Sequence, residues 1–558
     1  MTCNACSRTT SAILALAASG CLIVCGTTAA LAAGENTTTT NEGWSTQVQA
    51  GNARVTTAAI EPNAKKADSP TAKKVDAPSK KKVSAPAEKK TDDKTAGPAA
   101  AKRKDAGGKK DLFQPDPEYE KKYSVEEQVD IYGAKSAVEP PRPLLELGRE
   151  QYTSGMFDAS STLLGDTNLL LPGLAIYGDW RTAVAYNNNN GKDIAQIATR
   201  LNLDVDFKIT GTERLHAFFT PLQENNNKFT RYEFGGGDGN ENFNDEFDFE
   251  PQTLFFEGDV GSLYSGFSGQ EASFDLPFTV GLFPLFLQNG IWANDAILGG
   301  AVSLPAKNSA ALGLANFDVT FFAAFDNVDN AGLLGAQQNS NANIFGVTTF
   351  IDAFGGYIEA GYGLIQGKDE LDGQYTNFLT ASYSRRYANT VSNSTRFFAN
   401  FGNGKNDEGY AIISENSLIT SSPNVIPYAN FFVGFGNPQP LVDGNGAGIL
   451  KNVGINFETD ALTGYPKLDD SGSAAYGGAI GLIYLFGADL GQQLVFEVAT
   501  VQPFEDDGIG AQHPQYGFGI RYQIALTRAW LLRADATYQI AEGAEDNFGV
   551  RLELRRKF

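Results

Sequence analysis

Residues 197–210 read IATRLNLDVDFKIT. The odd positions are Ile197, Thr199, Leu201, Leu203, Val205, Phe207 and Ile209; the even positions are Ala198, Arg200, Asn202, Asp204, Asp206, Lys208 and Thr210. Such alternation is the mark of a strand with one apolar and one polar face. It persists for 14 residues, against about five or six in a common strand. A chain keeps such a strand where one face meets hydrocarbon and the other meets water.

The same pattern recurs downstream. One face carries Phe274, Leu276, Phe278, Val280 and Leu282 in the stretch 273–283. Tyr476, Ile480, Leu482, Tyr484 and Phe486 share a face in 474–487, and Tyr516, Phe518, Ile520, Tyr522, Ile524 and Leu526 in 515–526. Trp530, Leu532, Ala534, Ala536, Tyr538 and Ile540 align in 529–540, and Phe548, Val550, Leu552 and Leu554 in NFGVRLELRRKF (547–558). A β-sandwich alternates too, but its strands are shorter. Segments of about ten residues with aromatics near their ends suit strands tilted across a bilayer. Such a sheet must close, since lipid offers no partner to edge N–H and C=O groups.

Intervals between segments alternate in length, as expected of short periplasmic turns and longer external loops. Counting back from Phe558, taken as periplasmic, puts AEGAED outside and LTR inside, and QPFEDDGIGAQH outside and GADLG inside. The stretch NPQPLVDGNGAG (437–448) breaks the alternation, being long where a short turn is due. The expected fold is all-β, a transmembrane antiparallel barrel of 16–18 strands. Eighteen is favoured, and the segments near 252–259, 295–303 and 428–436 have the weakest patterns.

Bulk composition gives no membrane signal: 42% of residues are hydrophobic and the mean hydropathy is −0.24. The net charge of −21 is uneven. Residues 1–130 hold 19 Lys+Arg against 16 Asp+Glu, and the remainder 25 against 49, a balance of −24. Phosphate would be repelled by that part, which argues against nucleic acid. All cysteines (Cys3, Cys6, Cys21, Cys25) fall in the first 25 residues, beside Arg8, an apolar run and Ala30-Leu31-Ala32. We read residues 1–32 as a secretory signal peptide, in preference to a retained anchor or a lipoprotein cut before Cys21. Cleavage leaves no cysteine for a disulfide or a thiolate metal site.

Residues 33–110 are low-complexity; within 64–110 there are 15 Lys+Arg against 6 Asp+Glu and no aromatic residue. Such a stretch buries too little apolar area to offset its ordering entropy, so a disordered basic arm is expected. Anionic polymers of the cell envelope are a candidate partner for it. Residues 111–173 form a connector or plug, and residues 174–558 the barrel.

With its signal peptide, cysteine-free mature chain, alternating strands and last strand FGVRLELRRKF ending in Phe558, the sequence resembles a Gram-negative outer-membrane porin. The resemblance covers roughly residues 174–558 and identifies no subfamily. It implies the outer membrane and its lipid, a barrel-assembly machinery that reads Phe558, passage of small hydrophilic solutes, and a homotrimer as one admissible assembly. The basic arm departs from the usual porin plan.

Parity assigns the lumen. A basic wall is expected around the closure of the barrel: Arg181, Arg200, Lys208 and Arg214 from the first strands, and Arg521, Arg533, Arg551 and Arg555 from the last. The acidic set is Asp204, Asp206, Asp275, Asp318 and Glu359; residues 232–306 contain no Lys or Arg but 12 Asp+Glu. Facing walls of opposite sign would orient polar solutes. The plainer alternative is that the charges form satisfied lumen pairs, with Asp535 and Glu553 among the Arg partners. PLFLQNGIWAND (284–295) is too apolar for a solvated external loop and is a candidate constriction. The acidic run 238–250 fails the EF-hand pattern, with Phe243 at the turn Gly.

No catalytic motif is present; GGGDGN (235–240) lacks the Lys of a phosphate loop, and His216 is the sole inward base. We therefore expect no enzyme, no cofactor and no bound metal. The expected function is passive diffusion of small hydrophilic solutes or ions through a water-filled barrel, with weak cation preference. The alternative is a structural or adhesive barrel, plugged by residues 111–172, that links envelope layers through the basic arm.

Overall fold

The computed structural model describes residues 142–148 and 168–558, apart from 225–227, 235–241, 329–341, 389, 405–407, 423, 445–447, 459–461, 488–489 and 505–509. The expected signal peptide and basic arm, most of the expected connector and the GGGDGN stretch lie outside the described residues.

Eighteen antiparallel strands close into a barrel. In chain order they are β1 (Gly173–Asn189), β2 (Lys192–Lys208), β3 (Arg214–Phe219), β4 (Pro251–Asp259), β5 (Pro277–Leu287) and β6 (Ala293–Ser309). There follow β7 (Leu314–Asp326), β8 (Ala342–Ala353), β9 (Gly356–Gly367), β10 (Tyr375–Tyr387), β11 (Val391–Gly402) and β12 (Gly409–Leu418). The last six are β13 (Val425–Gly436), β14 (Ala475–Phe486), β15 (Gln492–Pro503), β16 (Gln515–Ala525), β17 (Trp530–Ala541) and β18 (Asn547–Lys557). All three weakly patterned segments are strands: β4, β6 and β13. Closure comes from β18 pairing with β1, from Asp179 opposite Lys557 to Asn188 opposite Phe548.

Alternation places the apolar face outside. Val550, Leu552 and Leu554 of β18, Phe518 and Ile520 of β16, and Ile480 of β14 are exposed on the outer surface, while Arg551, Glu553, Gly517 and Arg521 between them are buried inside. The opening stretch lies in β2, with Ile197 and Phe207 outward and Asn202 and Asp206 inward. This belt on a closed wall is the design of an outer-membrane-type barrel.

Connections at the Phe558 end are short (354–355, 388–390, 526–529), whereas the other end carries 220–250, 327–341 and 437–474. That asymmetry marks the Phe558 end as periplasmic. One periplasmic connection is long, 260–276, and contains the helix α1 (Val260–Ser268). At the same end Leu145–Gly148 of the connector pairs with β1, Leu145 opposite Ile176 and Gly148 opposite Gly173. It continues the line of β18 past Phe558, whose N–H and C=O bond Gly178.

One expectation is corrected. The stretch 437–448 is no periplasmic turn: β13 ends externally at Gly436, and 437–474 is one external loop running to Ala475. This loop turns into the lumen. Leu441, Val442, Ile449, Leu450, Val453 and Phe457 form one apolar core with inward residues of the wall, among them Phe283, Phe322, Ile344, Ile365, Phe378, Phe398 and Phe432. Its apolar residues, which mimic a strand in sequence, are burying themselves against the inside of the barrel rather than against lipid.

Candidate functional site: the barrel lumen

The outer half of the lumen is packed. Val442 and Asp443 run parallel to Ala293 and Asn294 of β6, and the Leu441 N–H donates to the Trp292 carbonyl at 2.7 Å. The stretch 284–295 is mostly wall, ending β5 and beginning β6, and only its turn packs inside, with Ile291 and Trp292 both 1% exposed. Leu441 fits over Gly363 of β9, where a Cβ would stand 2.6 Å from Leu441 Cδ1.

From there the loop crosses to the closure of the barrel. The buried Glu497 carboxylate of β15 accepts from the Ile455 and Asn456 N–H groups and from Asn456 Nδ2, each at 2.8 Å. Asn187 Nδ2 of β1 donates to the Thr463 carbonyl at 2.6 Å, and Arg551 lies over the Tyr465 ring at 5.4 Å.

The arginines around the closure are heavily paired. Asp535 accepts from Arg521 Nε at 2.6 Å, Arg533 Nε at 2.8 Å and Arg551 Nη2 at 2.9 Å. Glu458, from the loop, accepts from Arg533 Nη2 at 3.1 Å and also pairs with Arg521. Asp179 joins Arg181 at 3.1 Å and Arg555 at 2.8 Å. Arg200 donates to Asn202 Oδ1 at 2.8 Å and lies over Phe229. Glu553 stands opposite Arg533 in register.

Toward the periplasm the inward face is charged. Arg214 pairs with Glu257 and stands 3.9 Å from Asp206, which also has Lys208 at 3.9 Å and His216 Nε2 at 3.8 Å. Asp204 faces inward beside them. Across the lumen, Asp318 of β7 and Glu359 of β9 occupy inward positions, and Phe350 stacks on Tyr357 with ring centroids 5.5 Å apart. Asp275 is the exception. The connection after α1 extends to Leu276, so Asp275 lies outside the strands, exposed at the periplasmic rim rather than on a lumen face.

Sequence reasoning missed the buried Arg396 of β11, which pairs with Glu415 of β12. Adjacent Phe397 and Phe398 mask the alternation there. It missed Glu458 and Glu497 as loop anchors. No short-range pattern reports them, because their partners lie 75 and 41–42 residues away.

No family model matches the chain, and no curated protein does. Among solved structures it is similar to OccK7 (OpdD) of Pseudomonas aeruginosa, at 8% identity over 69% of this chain and 98% of that one, with a TM-score of 0.45. It is similar too to the outer membrane protein opdK of Pseudomonas aeruginosa, at 10% identity over 69% and 98%, TM-score 0.44. A third is OccAB4 of Acinetobacter baumannii, at 10% identity over 69% and 98%, TM-score 0.41. Likeness this distant speaks to neither substrate nor assembly.

Proposed function

We propose that the protein is an outer-membrane channel for passive diffusion of small hydrophilic solutes or ions, narrowed at its outer end by the loop 437–474. The carrying observation is the charged inward face: Asp204, Arg214, Glu257, Asp318 and Glu359 line the periplasmic half, and so many charges on one inward face cost least where water reaches them. The test is conductance of the purified protein in planar bilayers. Discrete steps are expected; their absence across several preparations overturns the reading.

A second reading is favoured by the apolar core in the outer half: a plugged barrel with a structural or adhesive role. In this reading 437–474 acts as a plug, since the loop supplies that core; the expected plug segment 111–172 lies mostly outside the described residues. Conductance before and after removal of 445–469 separates the two. A channel conducts in both forms, a plugged barrel only after the deletion. In either case the pairing of Leu145–Gly148 at the periplasmic rim supports a basic arm that starts from the periplasmic side, where anionic envelope polymers are its partner by charge.

A further inference from the structure

On the outer surface, near the periplasmic end of β6 and β7, lies an apolar groove of about 440 Å³, within the range of small-ligand sites. Its floor is Leu304 and Val319, opposite each other in the wall. They face away from the lumen, because the neighbouring Ser303 and Thr320 hydroxyls bond on the inner side at 2.9 Å. The pairing of β6 with β7 is irregular between Leu304 and Lys307, at the level of the groove.

The other bank is Phe274 and Leu276, held by the cap of α1. Asp259 Oδ1 accepts from the Ser262 N–H at 2.6 Å and Oδ2 from the Leu276 N–H at 2.7 Å. Gly261 is needed beneath, since a Cβ there would strike the Phe274 carbonyl oxygen. One carboxylate thus fixes both the helix and the bank, and the groove is built into the fold.

Two charges of opposite sign line it: Lys307, the first cation after Arg231, and Asp275. Both are exposed, and among the described residues neither has an ion-pair partner, in the other or elsewhere. An apolar trough continuous with the lipid-facing belt, ending at the periplasmic rim in an unpaired cation and an unpaired anion, matches one kind of occupant. We propose that it binds a zwitterionic glycerophospholipid of the periplasmic leaflet. An acyl chain lies over Leu304 and Val319, the phosphate meets Lys307, and a headgroup ammonium meets Asp275. This rests on the membrane placement of the barrel but not on whether the lumen conducts.

The test is native mass spectrometry of the delipidated full-length protein, titrated with phosphatidylethanolamine or, separately, phosphatidylglycerol. One phosphatidylethanolamine is expected to persist at energies that strip other lipids. Lys307→Glu and Asp275→Lys should each weaken that retention by about two- to fivefold, the scale of an exposed charge pair. The combined exchange Lys307→Asp with Asp275→Lys should restore it. Leu304→Trp, which fills the trough from the outer surface, should abolish it. Equal retention of both lipids, or retention indifferent to Leu304→Trp, overturns the proposal. Heat-modifiable mobility of each variant reports folding, and insertion into liposomes reports the membrane placement separately.

Discussion

Glu458 of the inserted loop and Arg533 of β17 form a buried ion pair, with Oε1 accepting from Nη2 at 3.1 Å. Arg521 and Arg551 stand beside it, and Asp535 serves all three arginines. Asp535 and the facing Glu553 leave this group of three arginines with one positive charge in excess, and Glu458 balances it. The loop therefore brings the counter-charge that lets it rest on the basic wall. Removing one partner of a buried pair costs about 3–5 kcal/mol, which the loop relieves by leaving. Glu458→Gln should keep the barrel folded, raise conductance, and make 437–474 a site of rapid proteolysis. It should also shift reversal potentials in a KCl gradient toward chloride, away from the weak cation preference expected of the wild type. Unchanged proteolysis and conductance would refute the anchoring role.

Glu497 is the second anchor and acts through hydrogen bonds. Its carboxylate takes the Tyr428 hydroxyl at 2.5 Å besides three loop donors at 2.8 Å. Glu497→Ala orphans them, at about 1–3 kcal/mol for each that stays buried. Water is the cheaper partner, so the loop should again release. Hydrogen exchange at Ile455 and Asn456 should accelerate in this variant more than at strand amides of β16. Equal protection in both proteins would count against it.

The wall was legible and the loop was not, for one physical reason. In β16, β17 and β18 each residue meets either lipid or the lumen, so burial follows a period of two and can be read locally. In β6 the irregular pairing near Pro305 interrupts that period. In 437–474 the environment of Val453 or Phe457 is set by side chains from strands far away in sequence, so no local spacing reports it. The basic wall was legible as a location, since parity suffices for that. Its neutralisation by Glu458 was not.

Acidification should favour the packed loop. Burial raises the Asp469 carboxyl above its ordinary value of 3.8, against the opposing bonds from Ser471, and the like-charged Asp470 adds to the rise. A raised packed-state pKa means the packed loop holds the proton more tightly. That contribution is complete below 3.8 and is lost as pH climbs through the raised value. Conductance should therefore fall as pH is lowered into the range just above 3.8, and Asp469→Asn should flatten that step. A fall of equal size in the variant would assign the pH response to other groups.

Phe558 ends the chain in backbone pairing with Gly178, with N–H to O distances of 2.9 and 3.0 Å. Leu145–Gly148 then takes up the β1 edge beyond it. The residue thus sits at a junction whose neighbours are paired without it. Its side chain contributes at most about 1.5–3 kcal/mol by burial, too little to dismantle a barrel closed by the whole length of β18 against β1. If Phe558 served packing alone, its deletion would lower thermal stability slightly and leave surface levels intact. If it is read during assembly, the same deletion leaves unfolded protein in the periplasm although the finished wall barely needs the residue. We expect the second outcome, measured as loss of heat-modifiable protein from the outer-membrane fraction. Normal folded barrel there after the deletion would remove the assembly role.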